Sequence, residues 1–520
     1  VELSLFAGRM AAMCEEMGAV LRRTALSPNI KDRLDFSCAV FDAAGELCAQ
    51  AAHIPVHLGS MAFAMRDVVG GLQWRPGDMV ILNDPFLGGT HLPDVTLIAP
   101  VFAGDGAEAR LAGFVANRAH HADIGAVTPG SMPISGRLEE EGMILPPTFI
   151  LRDGEIDAAV MARITGATRN SAQNRGDFAA QISANRCGGA RLEALVSALG
   201  LSSYRESLAA LNDYAERLAR SGLGAIPDGE YRFRDVLDDD GRGTCDIPLA
   251  VTLRVTGSDI EADFTGTAPQ VAGNVNCPLA VTAAAVYYVF RCLMPPEVPD
   301  CLGSFRPLRL TVPESSLLNA RRPAAVAAGN VETSTRVVDL VLGALAQAVP
   351  ERIPAASHGS MNNIAMGGRS GALSWDYYET LGGGMGAGPV GGGLSGVQTH
   401  MTNTLNTPIE SLELHYPLRI RRYELRDGSG GAGRRRGGDG LVREYELLAP
   451  ATVTLITERR THAPWGLAGG SAGSPGENRH NERVLPPKIS FEAAAGDRVR
   501  IESAGGGGWG DIKCSPDEGA

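Results

Sequence analysis

Lysine is nearly missing from this 520-residue sequence. Lys31, Lys488 and Lys513 are the only three, and other basic positions are arginine or histidine. No GxxxxGK[ST] stretch occurs, so the chain carries no Walker-type phosphate loop. Lysine and arginine total 47 against 59 acidic residues, a net charge of -12. That balance argues against nucleic acid and anionic membranes as partners, since both need a positive face. No CxxC pair is present, which disfavours a structural zinc knuckle. The cysteines are Cys14, Cys38, Cys48, Cys187, Cys245, Cys277, Cys292, Cys301 and Cys514. They are scattered and odd in number, as expected of free thiols in a reducing cytoplasm. No apolar run approaches the about 20 residues that span a bilayer, and the first residues do not read as a signal peptide. A cytoplasmic protein without membrane contact is the expectation. No GxSxG nucleophile elbow is recognised, since the one match, "GGSAG" at residues 469–473, lies among further glycines, and no cysteine sits in a recognisable nucleophile setting.

What is present is an ordinary globular composition, 44% hydrophobic and 20% charged, in a chain long enough for a sizeable core. Glycine is abundant, at 65 residues. Much of it lies in "LGGGMGAGPVGGGLSG", "DGSGGAGRRRGGDG" and "SAGGGGWG", close to apolar runs, so ordered turns and close backbone approaches are expected rather than linkers. Apolar spacing predicts an amphipathic helix over residues 3–25. "RLDFSCAVFD" and "GELCAQ" read as a hairpin, and "MVIL", "VTLIAPVF" and "LAGFVANR" as strands. Residues 171–223 turn helical with a break at "LGLSS", and a β-rich stretch follows. "VTAAAVYYVFRCLM" and "STRVVDLVLGALAQAV" are helix candidates, the second with Thr333 or Ser334 as N-cap. The expected class is mixed α/β (α+β), with interleaved β-rich and helical layers. The expected regions are an N-terminal α/β region with the chemistry (1–170), a helical segment (171–225), a mixed α/β region (226–355) and a glycine-rich β region (356–520).

The chemistry concentrates in "NDPFLGGTHLPDVTLIAPVF" and "NRAHHADIG". His91, Asp94, His120, His121 and Asp123 all sit at the ends of strand-like runs. Pro93 disfavours a helix through His91–Asp94 and leaves both side chains on a loop or strand entry. Imidazole with carboxylate suits a divalent ion, Zn²⁺, Mn²⁺ or Fe²⁺. If the strand reaches residue 121, His120 and His121 point to opposite faces. One then faces the site, with His120 the favoured ligand, and the other is a supporting group or a catalytic base. Asp123 shares a face with His121 and is expected to orient a histidine. Hydrogen bonding of loop histidines to carbonyls is the plainer reading of the same residues. Asp35 in "RLDFS" is a further candidate ligand, or an ion-pair carboxylate beside Arg33. His53 and His57 are four apart, but Pro55 between them points to a loop with structural histidines.

Two features carry little weight. "GAGPVG" matches GxGxxG, but it contains Pro389 and precedes more glycine instead of a helix. Arg434, Arg435 and Arg436 lie in a glycine-rich loop of an acidic chain, which suits a solvated or subunit-contacting loop.

"NIKDRLDFSCAVFD", "HIPVHLGSM", "NDPFLGGTHLPDVTLIAPVF", "NRAHHADIG", "DFTGT", "THMTNTLNTPIESLELHYPLRIRRYELRDGSGGAGRRRGGDG" and "SAGGGGWGD" together resemble the hydantoinase B family. That family includes the C-terminal half of 5-oxoprolinase and the α subunits of acetone-type carboxylases. The resemblance runs over nearly the whole chain. It implies pairing with a hydantoinase A-type ATPase subunit, which binds ATP and Mg²⁺; an (αβ)2 heterotetramer is the expected assembly, since closed twofold symmetry is the commonest solution. It also implies ATP-dependent opening of cyclic amides (hydantoin, 5-oxoproline, lactam), or ketone carboxylation as the alternative. A purely structural subunit is the third reading. The implied metal ligands fall on His91, Asp94 and the His120–His121 pair, with Asp35 as a further ligand; His121 and Asp123 are the expected catalytic pair.

Overall fold

Alternation of apolar side chains builds the N-terminal half around a seven-stranded antiparallel sheet. The structure, a computed structural model, describes residues 2–512 other than 52, 105, 371 and 372; Lys513 and Cys514 fall outside them. The sheet comprises β1 (Phe36–Asp42), β2 (Leu47–Gln50), β3 (Met79–Leu82), β4 (Asp94–Ala103), β5 (Arg110–His120), β6 (Thr148–Arg152) and β7 (Glu155–Ile156). Their order is β2-β1-β5-β4-β3-β6-β7. Successive residues of a strand point to opposite faces, and here both faces are apolar. Val95, Leu97, Val115 and Ala119 pack with one core, and Ile98, Phe114 and Ala116 with the other.

The first core is covered by α1 (Glu2–Thr24) and α5 (Ser171–Leu199), through Met13, Met17, Phe178 and Ile182. A short helix α2 (Pro28–Lys31) leads into β1, and α4 (Ala158–Gly166), capped by Asp157, precedes α5. The second core is covered by α3 (Pro55–Gly70) and α7 (Leu279–Leu293), through Met61, Met65, Val281 and Val286. Each such fully buried aliphatic side chain contributes about 1.5–3 kcal/mol of transfer free energy. Helix α6 (Leu201–Leu223) follows α5 after Gly200, as the break at "LGLSS" predicts.

The second core continues into α8 (Ser334–Leu345) and a sheet of β8 (Gly229–Asp239), β9 (Cys245–Thr256), β10 (Asp259–Asp263) and β11 (Leu308–Thr311). The expected N-cap at Thr333 or Ser334 is not the helix start. Residues Gly329–Thr333 form a π-helical turn that runs straight into α8, and Thr333 donates its hydroxyl to Val275 O instead of capping. Such turns recur at functional sites, and this one delivers Asn330 to the cluster described below.

Two sheets form the C-terminal part. One holds β12 (Asn363–Ser370), β13 (Leu373–Glu379), β16 (Ala451–Ile456) and β19 (Lys488–Ala493). The other holds β14 (Leu418–Arg426), β15 (Gly440–Leu447), β17 (Glu477–His480), β18 (Arg483–Leu485) and β20 (Arg498–Glu502), with α9 (Ile409–His415) leading in. Lys488 is fully buried, with Nζ 2.6 Å from Glu458, which also pairs with Arg336 of α8 at 3.0 Å. A buried charge needs such partners to be tolerated.

The glycine-rich stretches are neither linkers nor a nucleotide loop. They run extended side by side and hydrogen-bond laterally: Gly384 N to Ala504 O at 3.0 Å, Gly438 N to Met385 O and Gly506 N to Gly438 O at 2.9 Å. A Cβ on Gly384 would stand 2.0 Å from Gly438 O and 2.2 Å from Gly506 N. Only residues without a side chain fit that spacing.

The architecture is thus mixed α/β, with the glycine-rich β region at the C-terminal end. The cysteines within the described residues are free thiols, and no helix among those residues is long and apolar enough to cross a membrane.

Candidate metal centre

Three strand ends meet at one corner of the first sheet. Asp94 opens β4 directly opposite His120, which closes β5, and Phe36 of β1 pairs with Ala119. Asp35, just before β1, accepts the His120 backbone N–H at 3.0 Å. His91 reaches the same corner from the preceding loop, where Gly88 takes a φ of 107° that other residues rarely adopt.

His91, Asp94 and His120 each present one ligand atom, all within 4.8 Å of one another. All three residues are buried, at 0%, 0% and 3% exposure. His91 Nε2, Asp94 Oδ1 and His120 Nε2 are buried without any hydrogen-bond partner. His91 Nε2 stands 3.2 Å from Asp94 Oδ1 but is not aligned to bond it. Three unpartnered acceptors or donors converging in an interior would each be costly, and one divalent ion would satisfy all of them. Two imidazoles and a carboxylate are a donor set that zinc, manganese and iron accept.

The other atoms of these side chains are held. Asp94 Oδ2 accepts from Thr90 Oγ1 at 2.7 Å and Asn330 Nδ2 at 3.3 Å, and His57 Nε2 lies 3.1 Å away. His91 Nδ1 bonds Ala327 O at 3.2 Å, which leaves Nε2 free for the site. Ala327 is fixed in turn: its N–H and that of Val326 donate to Glu141 Oε1, at 3.0 and 2.9 Å. His120 Nδ1 lies 3.2 Å from the Asn29 side-chain amide, and its ring stacks on Tyr378 with centroids 4.8 Å apart.

Electrostatics follow from this packing. Burial raises the Asp94 carboxyl, but His91 and His57 outweigh it and hold the group well below the usual range. Burial lowers His91, and Asp94 outweighs that to leave it raised. Burial dominates at His120, which stays neutral and able to coordinate. Burial likewise raises Asp35, against the pull of His57 and Arg33. Asp35, Asp94, His120, His57, Asn330 and Tyr378 share the wall of a cavity of about 20 Å³.

The expected residues divide by strand alternation. His120 faces the cluster, whereas His121 faces α5, where Nε2 bonds Gln181 Oε1 at 2.9 Å and the ring stacks on Phe178. Asp123 does not orient a histidine. Its carboxylate accepts from Gly125 N, Ser131 Oγ, Arg169 N and Arg169 Nη1. The chain has turned after His120, so the shared-face argument no longer applies to residue 123. His121 and Asp123 are therefore not at the cluster as the expected catalytic pair.

His57, read as a loop histidine, is in the site. Pro55 is the first residue of α3 rather than its interruption, a position where proline's missing N–H costs nothing. His53 remains outside the helix, accepting from Cys38 N at 3.2 Å. Asn330 and Tyr378 come from more than 200 residues away and carry no local signal; the "HIPVHLGS" spacing was the signal available for His57.

The chain belongs to the hydantoinase B/oxoprolinase family, whose model matches residues 1–512. An uncharacterised protein of Methanocaldococcus jannaschii is 40% identical, over 96% of this chain and 88% of its own. 5-Oxoprolinase 1 of Arabidopsis thaliana is 39% identical over 98% of this chain, which spans 42% of that longer protein. The putative B-type subunit of a D-/L-hydantoinase from a Pseudomonas species is 32% identical, over 98% and 90% of the two chains. Among solved structures, the ATP-dependent caprolactamase of Pseudomonas jessenii superposes with a TM-score of 0.90 at 27% identity, covering 98% and 91%. Acetone carboxylase shares the fold at a TM-score of 0.88, covering 98% and 75%, with 17% identity.

Proposed function

We propose that this chain is the ring-opening subunit of an ATP-dependent cyclic-amide hydrolase, acting with a hydantoinase A-type ATPase. The convergence of unpartnered His91 Nε2, Asp94 Oδ1 and His120 Nε2 in a buried corner carries the reading. The likeness to a caprolactamase and to the B-type chain of a hydantoinase favours a hydrolase over a ketone carboxylase. The carboxylase likeness is one of fold alone.

A cyclic amide resists water because resonance makes its carbon a poor electrophile. Phosphorylation of the amide oxygen in the partner removes that protection. Water then adds to the carbon and the ring C–N bond breaks, its nitrogen taking a proton, which leaves an acyl phosphate; a second water cleaves the acyl phosphate to carboxylate and phosphate. His91, Asp94 and His120 would hold the ion, with Asp35 adding a carboxylate to the same wall. Zinc, manganese or iron held there would supply a water of lowered pKa. Thr90, His57 and Asn330 fix the Asp94 carboxylate, Ala327 fixes the His91 tautomer, and burial strengthens each of these interactions. ATP and Mg²⁺ belong to the partner, and an (αβ)2 heterotetramer is the proposed assembly. The described cavity holds about 20 Å³, far below the about 300–1,000 Å³ of ordinary small-molecule sites.

The test is reconstitution with the A-type subunit, followed by assay of hydantoin, 5-oxoproline and caprolactam with ATP, and of acetone with ATP and bicarbonate. Ring opening coupled to phosphate release, with loss of both metal and turnover in His91→Ala, is the expected result. Consumption of bicarbonate without ring opening, or undiminished hydrolysis in His91→Ala, would overturn the assignment.

A further inference from the structure

His120 meets the candidate cluster through Nε2, and its other ring nitrogen faces Asn29. Asn29 lies in α2, is buried, and holds its side-chain Nδ2 3.2 Å from His120 Nδ1. The backbone ties the two residues together through Asp35. Asn29 O accepts from Asp35 N at 2.9 Å, and Asp35 O accepts from His120 N at 3.0 Å.

Arg33, fully buried, decides which end of the Asn29 amide faces the ring. A guanidinium only donates, and Nη1 donates to Asn29 Oδ1 at 3.3 Å. The same nitrogen donates to Tyr378 O at 2.8 Å, and Nη2 donates to Thr380 Oγ1 at 3.3 Å. With Oδ1 committed to Arg33, the Asn29 N–H points at His120 Nδ1, which must then accept.

A neutral imidazole has one ring N–H and one ring lone pair. With the Nδ1 lone pair bonded to Asn29, the proton sits on Nε2. Nε2 is the atom at the cluster, and it is buried without a hydrogen-bond partner. A buried N–H without an acceptor is costly, and a protonated nitrogen has no lone pair for a metal. Half a turn of the Asn29 amide exchanges Oδ1 and Nδ2. Nδ1 then carries the proton and donates to Oδ1, and the Nε2 lone pair opens to the cluster. Arg33 gives up one bond and keeps those to Tyr378 O and Thr380 Oγ1.

On the basis of the metal centre proposed above, we infer that Asn29 is a positioning residue for His120: its amide donates to Nδ1 in the metal-free chain and turns to accept from Nδ1 when Nε2 takes an ion. The ring keeps one proton throughout, on Nε2 in the first state and on Nδ1 in the second. His91 needs no such partner. Its Nδ1 faces Ala327 O, a carbonyl that only accepts and so keeps the proton on Nδ1 in both states. Ligation at His120 thus depends on two residues of "NIKDR", Asn29 and Arg33, neither of them in the ligand group.

Long-range ¹H–¹⁵N spectra of the ¹⁵N-histidine-labelled full chain, with and without zinc chloride, read the tautomer. His120→Gln identifies the His120 signals among the ten histidines. The metal-free wild-type chain should show His120 protonated on Nε2, and the zinc-loaded chain should show it protonated on Nδ1. Asn29→Asp, whose carboxylate only accepts, should hold the proton on Nδ1 even without zinc and bind zinc at least as tightly as wild type. Asn29→Leu, which neither donates nor accepts, should weaken zinc binding about 10–100-fold. Where a variant destabilises the fold, the wild-type spectra alone decide. Zinc binding with an unchanged His120 tautomer, weaker zinc binding in Asn29→Asp, or undiminished affinity in Asn29→Leu would overturn the role of Asn29 and leave the metal centre standing. Failure of the wild-type chain to bind zinc would overturn both.

Discussion

Replacing Gly384 by alanine is the sharpest probe of the glycine-rich packing. The added methyl would fall 2.0 Å from Gly438 O and 2.2 Å from Gly506 N, where real Cβ atoms essentially never come within 3.0 Å. Backbone lies on both sides, so the neighbouring segments must separate by about 1 Å, beyond what hydrogen bonds tolerate. Three bonds are exposed to that shift: Gly384 N to Ala504 O, Gly438 N to Met385 O, and Gly506 N to Gly438 O. At about 1–3 kcal/mol for each buried group left unpaired, the loss is about 3–9 kcal/mol. That compares with about 5–15 kcal/mol of total stability for a typical domain. The C-terminal part should therefore unfold in Gly384→Ala, and with it the wall formed by Thr380 and Tyr378, so metal retention should fail as well. Gly391→Ala is the control, since nothing lies within 4 Å of its Cβ position. Scanning calorimetry with limited proteolysis distinguishes the two. A Gly384→Ala protein that melts within about 1 °C of the Gly391→Ala protein would refute the steric reasoning.

Three further outcomes are expected. Asp94→Asn keeps the size of the side chain but removes the charge that faces His91, so elemental analysis should find less than one ion per chain in a folded protein; full occupancy would exclude Asp94 as a ligand. Asp123→Asn should leave metal affinity unchanged, because Asp123 contacts neither histidine, while costing about 1–3 kcal/mol of stability through its bonds to Arg169; a metal dissociation constant weakened about tenfold or more would restore the histidine-orienting role. Burial pushes Glu332 up to about 8 from 4.5. A carboxyl raised in the folded state gives stability that is complete below pH 4.5 and is lost as the pH climbs through about 8, a loss on the order of 4–5 kcal/mol. Glu332→Gln should flatten that decline between pH 5 and 9, and an unchanged slope in urea titrations would place the titration elsewhere.

Period-two alternation made the central strands legible, and with them the divergence of His120 and His121 onto opposite faces, without choosing between the two. It failed at Asp123 because a turn intervenes, and alternation says nothing beyond a strand's end. Pro55 misled in another way. A proline between two histidines reads as a breaker, yet at the first turn of a helix it is compatible, and His57 entered the site through that exception. The π-helical turn at Gly329–Thr333 had no local signature, since an extra residue in a helical turn is chosen by what the turn contacts. Asn330 and Tyr378 are supplied by contacts across the chain, which no local pattern encodes. The glycine stretches were legible as ordered, but their lateral pairing depends on partners far apart in sequence.

That pairing also orders events during synthesis. The extended glycine segments take their partners from residues 355–358, 382–396, 429–440, 466–476 and 504–508. The last of these is translated after the other four. Until residues 504–508 arrive, Gly384, Ala387, Gly431 and Gly438 face a gap in which N–H and C=O groups have no mate, a state the interior does not tolerate. The N-terminal sheet, by contrast, has all its strands within residues 36–156 and is free to assemble early. The strand ends that carry Asp94 and His120 are thus free to form before residues 504–508 complete the glycine-rich packing.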